Sequence, residues 1–572
     1  MSCYSEGVPR VYLAISMLAA TVCFGEPAPL LDVLQGELER NFSVLKEKAD
    51  PAPYFLQYSV IEQQSQDWTG TFGALQNESK NHNRILDVNV RVGSPKLDNY
   101  HSTGRERPRF SSPVLLPVDD QPDEIRRRAW LETDRTYRRA SQRLISLKTS
   151  TQVNVASEDT SDDFSTESPS VAVMPLPVLR TGSVDWAARV RKWSGVFNQY
   201  PHVLGSAVSV SLSVENRYLV NSEGTRVQHG RGFARIVVFA RGKAADGMDL
   251  FTTDSFEAVD PTGLPEEKVV EEAARHTAED LTKLIDAPVV DPFVGPAILS
   301  GRAAAVFFHE IFGHRIEGHR QKDDSEGQTF TKMVNSKVLP EFLSVTFDPT
   351  RKQENGIDLN GTYSYDDEGV KARPVSVVKD GVLKTFLMSR SPVKGFAASN
   401  GHGRKQAGRD VVSRQSNLIV ESTKQVPEEK LRAMLVAEIK RQNKPYGFRF
   451  DQVTGGYTTT NRSSLQAYTV IPLIVYRVYA DGRPDELVRG VDIVGTPLAS
   501  FAKIMATGDK SEVFNGYCGA ESGSVPVAAI SPALLVSEIE IQKKDKGRDR
   551  PPLLPAPPTS QSAASPLTGA GQ

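Results

Sequence analysis

From Thr362 to Ile541 the chain reads almost entirely as strands separated by tight-turn signals, and this narrows the available folds more than anything else in it. Val375 to Val378, Val382 to Met388, Leu465 to Tyr479 and Leu534 to Ile541 are rich in β-branched and apolar residues. Lys379-Asp380-Gly381 and Ala480-Asp481-Gly482 punctuate them, and Asp-Gly pairs supply the backbone conformations a hairpin turn requires. Strands joined so tightly run antiparallel. Glu428 to Gln442 is the one clear helix in this half. The expected fold class is α+β, with an N-terminal α/β region over 26–298 and a largely antiparallel C-terminal domain over 299–542.

In the N-terminal region, Leu34, Leu38, Phe42 and Leu45 set one apolar stripe on a helix from Leu31 to Lys48. Tyr54 to Val92 alternates in short, strand-like runs. Ser146 to Ser170 is rich in Ser, Thr and Asp and reads as a flexible loop. Ala207 to Val214 and Ala234 to Ala240 are strands joined around the turn signal Asn221-Ser222-Glu223-Gly224, and Leu264 to Ile285 is a helix.

The ends read differently. Arg10 followed by the apolar run Val11 to Phe24 has the pattern of a signal peptide over 1–25, with an uncleaved anchor as the alternative. The run is shorter than the ~20 residues of a comfortable span. An exported protein, periplasmic or secreted, without stable membrane insertion after cleavage is therefore expected, and a cytoplasmic one if the segment is not a signal. Residues 543–572 are charged, then Pro-, Ala- and Ser-rich, and cannot bury a core. A net charge of -2 gives no general pull toward nucleic acid.

Of nine histidines, His309, His314 and His319 fall close together, and Glu310 follows the first. Ser300 can cap a helix whose apolar stretch Ala303 to Phe308 leads into them. A His-Glu pair on a helix is the arrangement of metallopeptidases: imidazoles hold zinc, and the carboxylate takes a proton from water on the metal. The spacing is unusual. Residues i and i+5 lie about 140° apart on a regular helix. Both rings reach one metal only where the helix widens, as in a π-turn, or ends. An irregular helix between His309 and His314 is thus predicted, with Gly313 permitting the distortion. The bland alternative is three unrelated histidines around a helix end. Cleavage of a signal would remove Cys3 and Cys23 and leave Cys518 as a lone thiol, by default an inert buried one.

Several segments resemble the TldD/PmbA peptidase family. They are HEIFGHRIEG (His309 to Gly318), RYLVNSEGT (Arg217 to Thr225), YSYDDEGV (Tyr363 to Val370) with the following DGVLKTFL, LVRGVDIVGTP (Leu487 to Pro497) and GYCGAESGSVPV (Gly516 to Val527). The resemblance covers roughly residues 30 to 541 and is weaker between about 70 and 200. It implies a zinc site of His309, His314 and Cys518 with Glu310 as the catalytic carboxylate, and a TldD-like, motif-bearing subunit. It further implies action on unfolded or small peptides and a heterodimer with a motif-lacking family member, whereas an exported chain would favour a homodimer. Two imidazoles and a thiolate leave a fourth zinc position open, and Glu310 can deliver its proton to the leaving amine. A thiolate ligand weakens the zinc as a Lewis acid, so modest turnover is expected.

Glu317 matches the family pattern, lies on the face of His314, and is a candidate for orienting its imidazole. His319 departs from the pattern and reads as a surface histidine. His276 reads as an ordinary helix residue, and His402, within the Gly-rich SNGHGR, as a loop residue beside the substrate cleft. Asp366-Asp367-Glu368 reads as a hairpin turn rather than a second metal site. An extended peptide adding to a sheet edge would allow broad sequence tolerance. Three alternatives carry different consequences: a zinc-dependent hydrolase of non-peptide amides, a non-catalytic partner subunit, and a structural zinc protein.

Overall fold

The computed structural model describes residues 29–102, 108–150, 159–463, 467–544, 547, 549–552 and 554. The predicted signal segment, Cys3 and Cys23 lie outside them, as does nearly all of the predicted tail. Among the described residues the strands form one eight-stranded sheet, one twelve-stranded sheet and two small two-stranded ones.

The first sheet is built on β1 (Pro53–Thr71), β2 (Ala74–Ser94), β3 (Gly205–Asn221), β4 (Arg226–Lys243) and β5 (Asp249–Ala258). Their spatial order is β2-β1-β3-β4, all antiparallel, with β5 paired to β4. Two expectations need correction. Tyr54 to Val92 is two long strands, not several short runs, because polar residues such as Glu62 to Asp67 stay in the ladder and pair across it. Ser146 to Ser170 is not one flexible loop. Its first residues complete a helix of 29 residues, Pro122–Ser150. Phe164 is buried, and Ser165 takes hydrogen bonds from Arg390. Residues 151–158 of that segment lie outside the described residues. The predicted helices α1 (Pro29–Lys48) and α2 (Glu267–Asp286) fall where expected, and a further helix, Trp186–Gly195, has no counterpart in the sequence reading.

The second sheet contains β6 (Phe293–Leu299), β7 (Leu343–Phe347), β8 (Asn417–Ser422), β9 (Gly447–Thr458), β10 (Tyr468–Val478), β11 (Val491–Gly495), β12 (Ile504–Ala520) and β13 (Gly523–Lys543). The span from Val382 to Met388, expected as one strand, is β only at Val382–Leu383. Most pairs are antiparallel; β6–β9 and β8–β13 are parallel. β13 is the hub, pairing with β6, β8, β11 and β12. The path β13-β11-β10-β9-β6 returns to β13, so these five strands close a ring. Helix α3 (Gly301–Ile311) follows β6 directly and packs against β13, β9, β12 and β10. Its stretch from Ala303 to Ile311 is buried all round, which suits a helix with little polar surface. Phe307 and Phe308 pack on Tyr468 and Phe501 beneath it.

Candidate metal centre

Local chemistry fixes both ends of α3. Ser300 opens it: its Oγ accepts Ala303 N at 3.2 Å and donates to Asp451 O at 2.8 Å. The Glu512 carboxylate accepts Arg302 N at 2.8 Å, complementing the positive helix start. At the other end the α-helix stops at Ile311, and a 3-10 turn over Gly313–Ile316 follows. Arg315 Nη1 donates to the carbonyls of Glu310 and Ile311, both at 3.1 Å, and so satisfies backbone groups that the helix end leaves over. The predicted irregularity between the two histidines is present, and its form is a helix end rather than a π-bulge. The role expected of Gly313 changes. Its φ is not positive, but an added Cβ would stand 2.0 Å from Gln415 Oε1. Glycine supplies room there, not freedom.

The turn brings the rings together. The His309 and His314 centroids are 5.1 Å apart with planes at 83°. Cys518, on β12, projects toward them, and its Sγ is 3.3 Å from His314 Nε2. One donor atom from each of His309, His314 and Cys518 lies within 4.8 Å of the others. Two nitrogens and a thiolate on one tetrahedral zinc stand about 3.3–3.6 Å apart, given bonds of about 2.0–2.3 Å. The donor set and its spacing therefore fit a zinc ion. Glu310, on the same helix, puts Oε2 3.9 Å from His314 Nε2. Gly456 of β9 makes space for it, since a Cβ there would stand 2.8 Å from Glu310 Cγ.

All four side chains are buried, at 9% exposure or less. Burial raises the Glu310 carboxyl above its usual range, against the pull of His309 and His314. Burial also favours the neutral Cys518 thiol, yet His314, His309 and Arg414 outweigh it and hold the thiol well below its usual range. A sulfur held as thiolate is the form that binds a metal.

Glu317 is fully buried, and its Oε2 is 3.4 Å from His314 Nδ1. It also accepts Arg320 Nε at 2.9 Å, while its Oε1 faces Arg414 Nε at 3.4 Å. Burial alone would raise this carboxyl, but His314, Arg320 and Arg414 reverse the effect and bring it to about 2. The resulting anion turns His314 so that Nε2 points at Cys518. Arg414 reaches the same centre from the other side, donating to the Cys518 carbonyl and, at 2.8 Å, to Ser522 Oγ. Sequence reasoning missed Arg414, Gln415 and Glu521. The polar run Arg414-Gln415-Ser416-Asn417, abutting the apolar start of β8, was a usable signal for the first two.

His319 is a correction: it is buried, not on the surface. Its Nε2 meets Glu521 Oε1, and Glu521 Oε2 accepts Arg320 Nη2 at 2.9 Å, so the network behind Glu317 encloses it. A cavity of about 210 Å³ is lined by His319 and Glu521 and reaches that network. His276 is exposed on its helix. His402 is fully buried, with Nε2 3.1 Å from Ser416 Oγ, and burial lowers it to about 3. Asp366, Asp367 and Glu368 form a turn, as expected. The Asp366 carboxylate accepts the backbone N–H groups of Glu368, Val370 and Gly403. Asp367 accepts Lys405 N at 2.7 Å and pairs with Arg217, and Glu368 accepts Arg390 N at 2.6 Å.

Residues 294–543 match the family model described as the PmbA/TldA metallopeptidase C-terminal domain. A metalloprotease of Archaeoglobus fulgidus is 29% identical over 46% of this chain and 57% of its own length. A zinc metalloprotease TldD homolog of Saccharolobus solfataricus is 25% identical over 43% of this chain and 51% of its own. The chain thus spans about half the length of these curated relatives. The crystal structure of TldE from Thermococcus kodakarensis shares the fold at a TM-score of 0.58, with 14% identity, over 90% of this chain and 100% of that one. Residues 294–543, where the His-Glu helix and Cys518 lie, thus match the TldD/PmbA family's C-terminal domain, and the chain is similar in fold to TldE along most of its length.

Proposed function

We propose that the protein is a zinc-dependent peptidase that hydrolyses small or unfolded peptides. The observation that carries this is the convergence of His309, His314 and Cys518 within 4.8 Å of one another with the Glu310 carboxylate beside them. The metalloprotease names of the relatives point the same way. Zinc, when bound by these three side chains, supplies a Lewis acid and lowers the pKa of a water molecule. The chain's own residues do the rest. Glu310, raised by burial toward the working range of a general base, takes a proton from water and delivers it to the departing amine nitrogen. Glu317 fixes the His314 ring through Nδ1, and Arg414 and Arg320 keep Glu317 charged.

The substrate class, an exported location and pairing with a motif-lacking family member or a second copy belong to the same proposal. They rest on the sequence resemblance and on the apolar N-terminal run. The test is zinc content by mass spectrometry on the purified chain, with turnover measured against a peptide library and a library of non-peptide amides. Stoichiometric zinc and new peptide amino termini are expected. Cleavage confined to the amide library would replace the peptidase with a broader amide hydrolase. A fully ligated zinc without turnover would make the site structural.

A further inference from the structure

A second hollow lies away from the metal centre. It is a cavity of about 800 Å³ between the first sheet and the loops before β8, within the size range of small-molecule pockets. Cys518 and Tyr517 are successive on β12 and so point to opposite faces. Cys518 faces the histidines, while Tyr517 meets Phe233 of the cavity wall. The pocket is thus set on the reverse face of the hairpin from the donors. Met174, Leu176, Phe233, Val259 and Leu359 make part of its wall apolar.

Its polar groups are unevenly matched. Each carboxylate on the wall already has partners. Glu215 holds Arg217 and Gln63, and Asp358 accepts Val259 N and Gln353. Asp367 holds Arg217 and Lys405 N, and Asp366 accepts the three backbone N–H groups above. Two guanidiniums make no direct ion pair with a carboxylate among the described residues, although Arg231 stands across the ladder from Glu215, whose carboxylate feels its charge. Arg231 donates to Asn360 O at 2.6 Å and Asn360 Oδ1 at 2.8 Å. Arg404 is 5% exposed, donates to Gln415 O at 2.6 Å and lies over the Tyr363 ring at 4.7 Å. Burial, together with Arg217, Arg231 and Arg414, pushes Arg404 down to about 10, so it stays charged and uncompensated at neutral pH. Beside them the ring of His229, 7% exposed, lies 6.0 Å from that of Tyr365, centroid to centroid. Burial, aided by Arg217, lowers it to about 3 and keeps it neutral. A buried cation without a counter-ion is costly, and an anion entering beside Arg404 would relieve that cost.

We propose that this cavity binds an organic carboxylate with an apolar body, its carboxylate between Arg231 and Arg404 and its apolar part along Met174, Leu176, Phe233 and Leu359. A bidentate guanidinium contact gives the carboxylate geometry and strength, and the wall takes the apolar chain. Two sources share this chemistry, a fatty acid and the C-terminal residue of a peptide. The site is independent of the peptidase reading.

The test is calorimetric titration of the full chain with decanoate and with N-acetyl-phenylalanine, each against its uncharged counterpart, decanol and N-acetyl-phenylalaninamide. At least tenfold tighter binding of one acid than of its counterpart is expected, and the acid that binds identifies the source. The Arg231→Gln protein should lose that preference and bind the uncharged probe as before. Acid and counterpart binding equally, or neither binding, overturns the proposal. So does an acid preference that survives Arg231→Gln in a chain shown folded by circular dichroism, since it would place the carboxylate elsewhere, at the metal for instance. Were that variant unfolded, the wild-type comparison repeated with a zinc-binding hydroxamate at saturation would decide, because a preference abolished by hydroxamate belongs to the metal.

Discussion

Two dense polar clusters lie in the C-terminal half, and they are built on opposite plans. Around Asp366, Asp367 and Glu368 every carboxylate spends its lone pairs on backbone N–H groups or on arginine. Around His309, His314 and Cys518 the donor atoms face one another, and their neighbours Glu317, Arg414 and Gln415 hold the rings and the backbone from behind. Three carboxylates in a row look more like a metal site than two histidines out of helical register. What separates the clusters is not the count of ligating residues. It is whether the surrounding backbone has already claimed their lone pairs.

The sharpest way to break this contrast is at Glu310. Glu310→Gln keeps the shape and removes the base, so kcat should fall by roughly 10²–10⁴-fold while bound zinc is unchanged. The paired measurements are steady-state peptide cleavage and metal analysis, and undiminished kcat would remove Glu310 from the mechanism. Next come the donors. Cys518→Ala and His314→Ala should lose zinc on dialysis, whereas Asp367→Asn should keep it; zinc retained by Cys518→Ala would remove the third ligand. The acidic turn should instead answer in stability. Asp366→Asn weakens three backbone contacts and should cost about 1–3 kcal/mol in urea denaturation without changing zinc content. A loss of metal there would erase the distinction.

A more gradual effect concerns pH, through the neutral buried histidines His229 and His402. Both are lowered by burial to about 3, whereas an unfolded histidine protonates near ~6.5. Between those values the unfolded chain binds more protons than the folded one, so stability falls as pH falls through that window. Each histidine contributes up to about 1.4 kcal/mol per pH unit. His402→Gln should flatten the slope of stability between pH ~4 and ~6, measured by denaturant midpoints; an unchanged slope would mean that the ring is already protonated in the fold.

Much of this could be read from the residues. The helix cap at Ser300, the broken helix after His309 and the turn at Asp366 follow from local chemistry and periodicity. Cys518 entered the site through the family resemblance, because a lone thiol about two hundred residues away carries no local sign of its partners. The 29-residue helix Pro122–Ser150 went unseen. Its buried side carries Ala129, Thr133, Thr136 and Ala140 while Trp130, Leu131 and Ile145 are exposed, which blurs the apolar stripe. His319 was misjudged because burial by Glu521 and Arg320 is a tertiary fact. The role of Gly313 depended on Gln415, whose approach only the folded chain reveals.

The position of β13 has a consequence for how the molecule is made. It is the last strand among the described residues, yet four others pair with it and the ring of five cannot close without it. Cys518 sits on the strand that forms a hairpin with it. During synthesis His309, Glu310 and His314 leave the ribosome long before the thiolate that completes their set. Growing chains and fragments ending before this hairpin carry two histidines and a glutamate in an unfinished sheet. The order of residues thus keeps His309, Glu310 and His314 without Cys518 until the hairpin of β12 and β13 has been made.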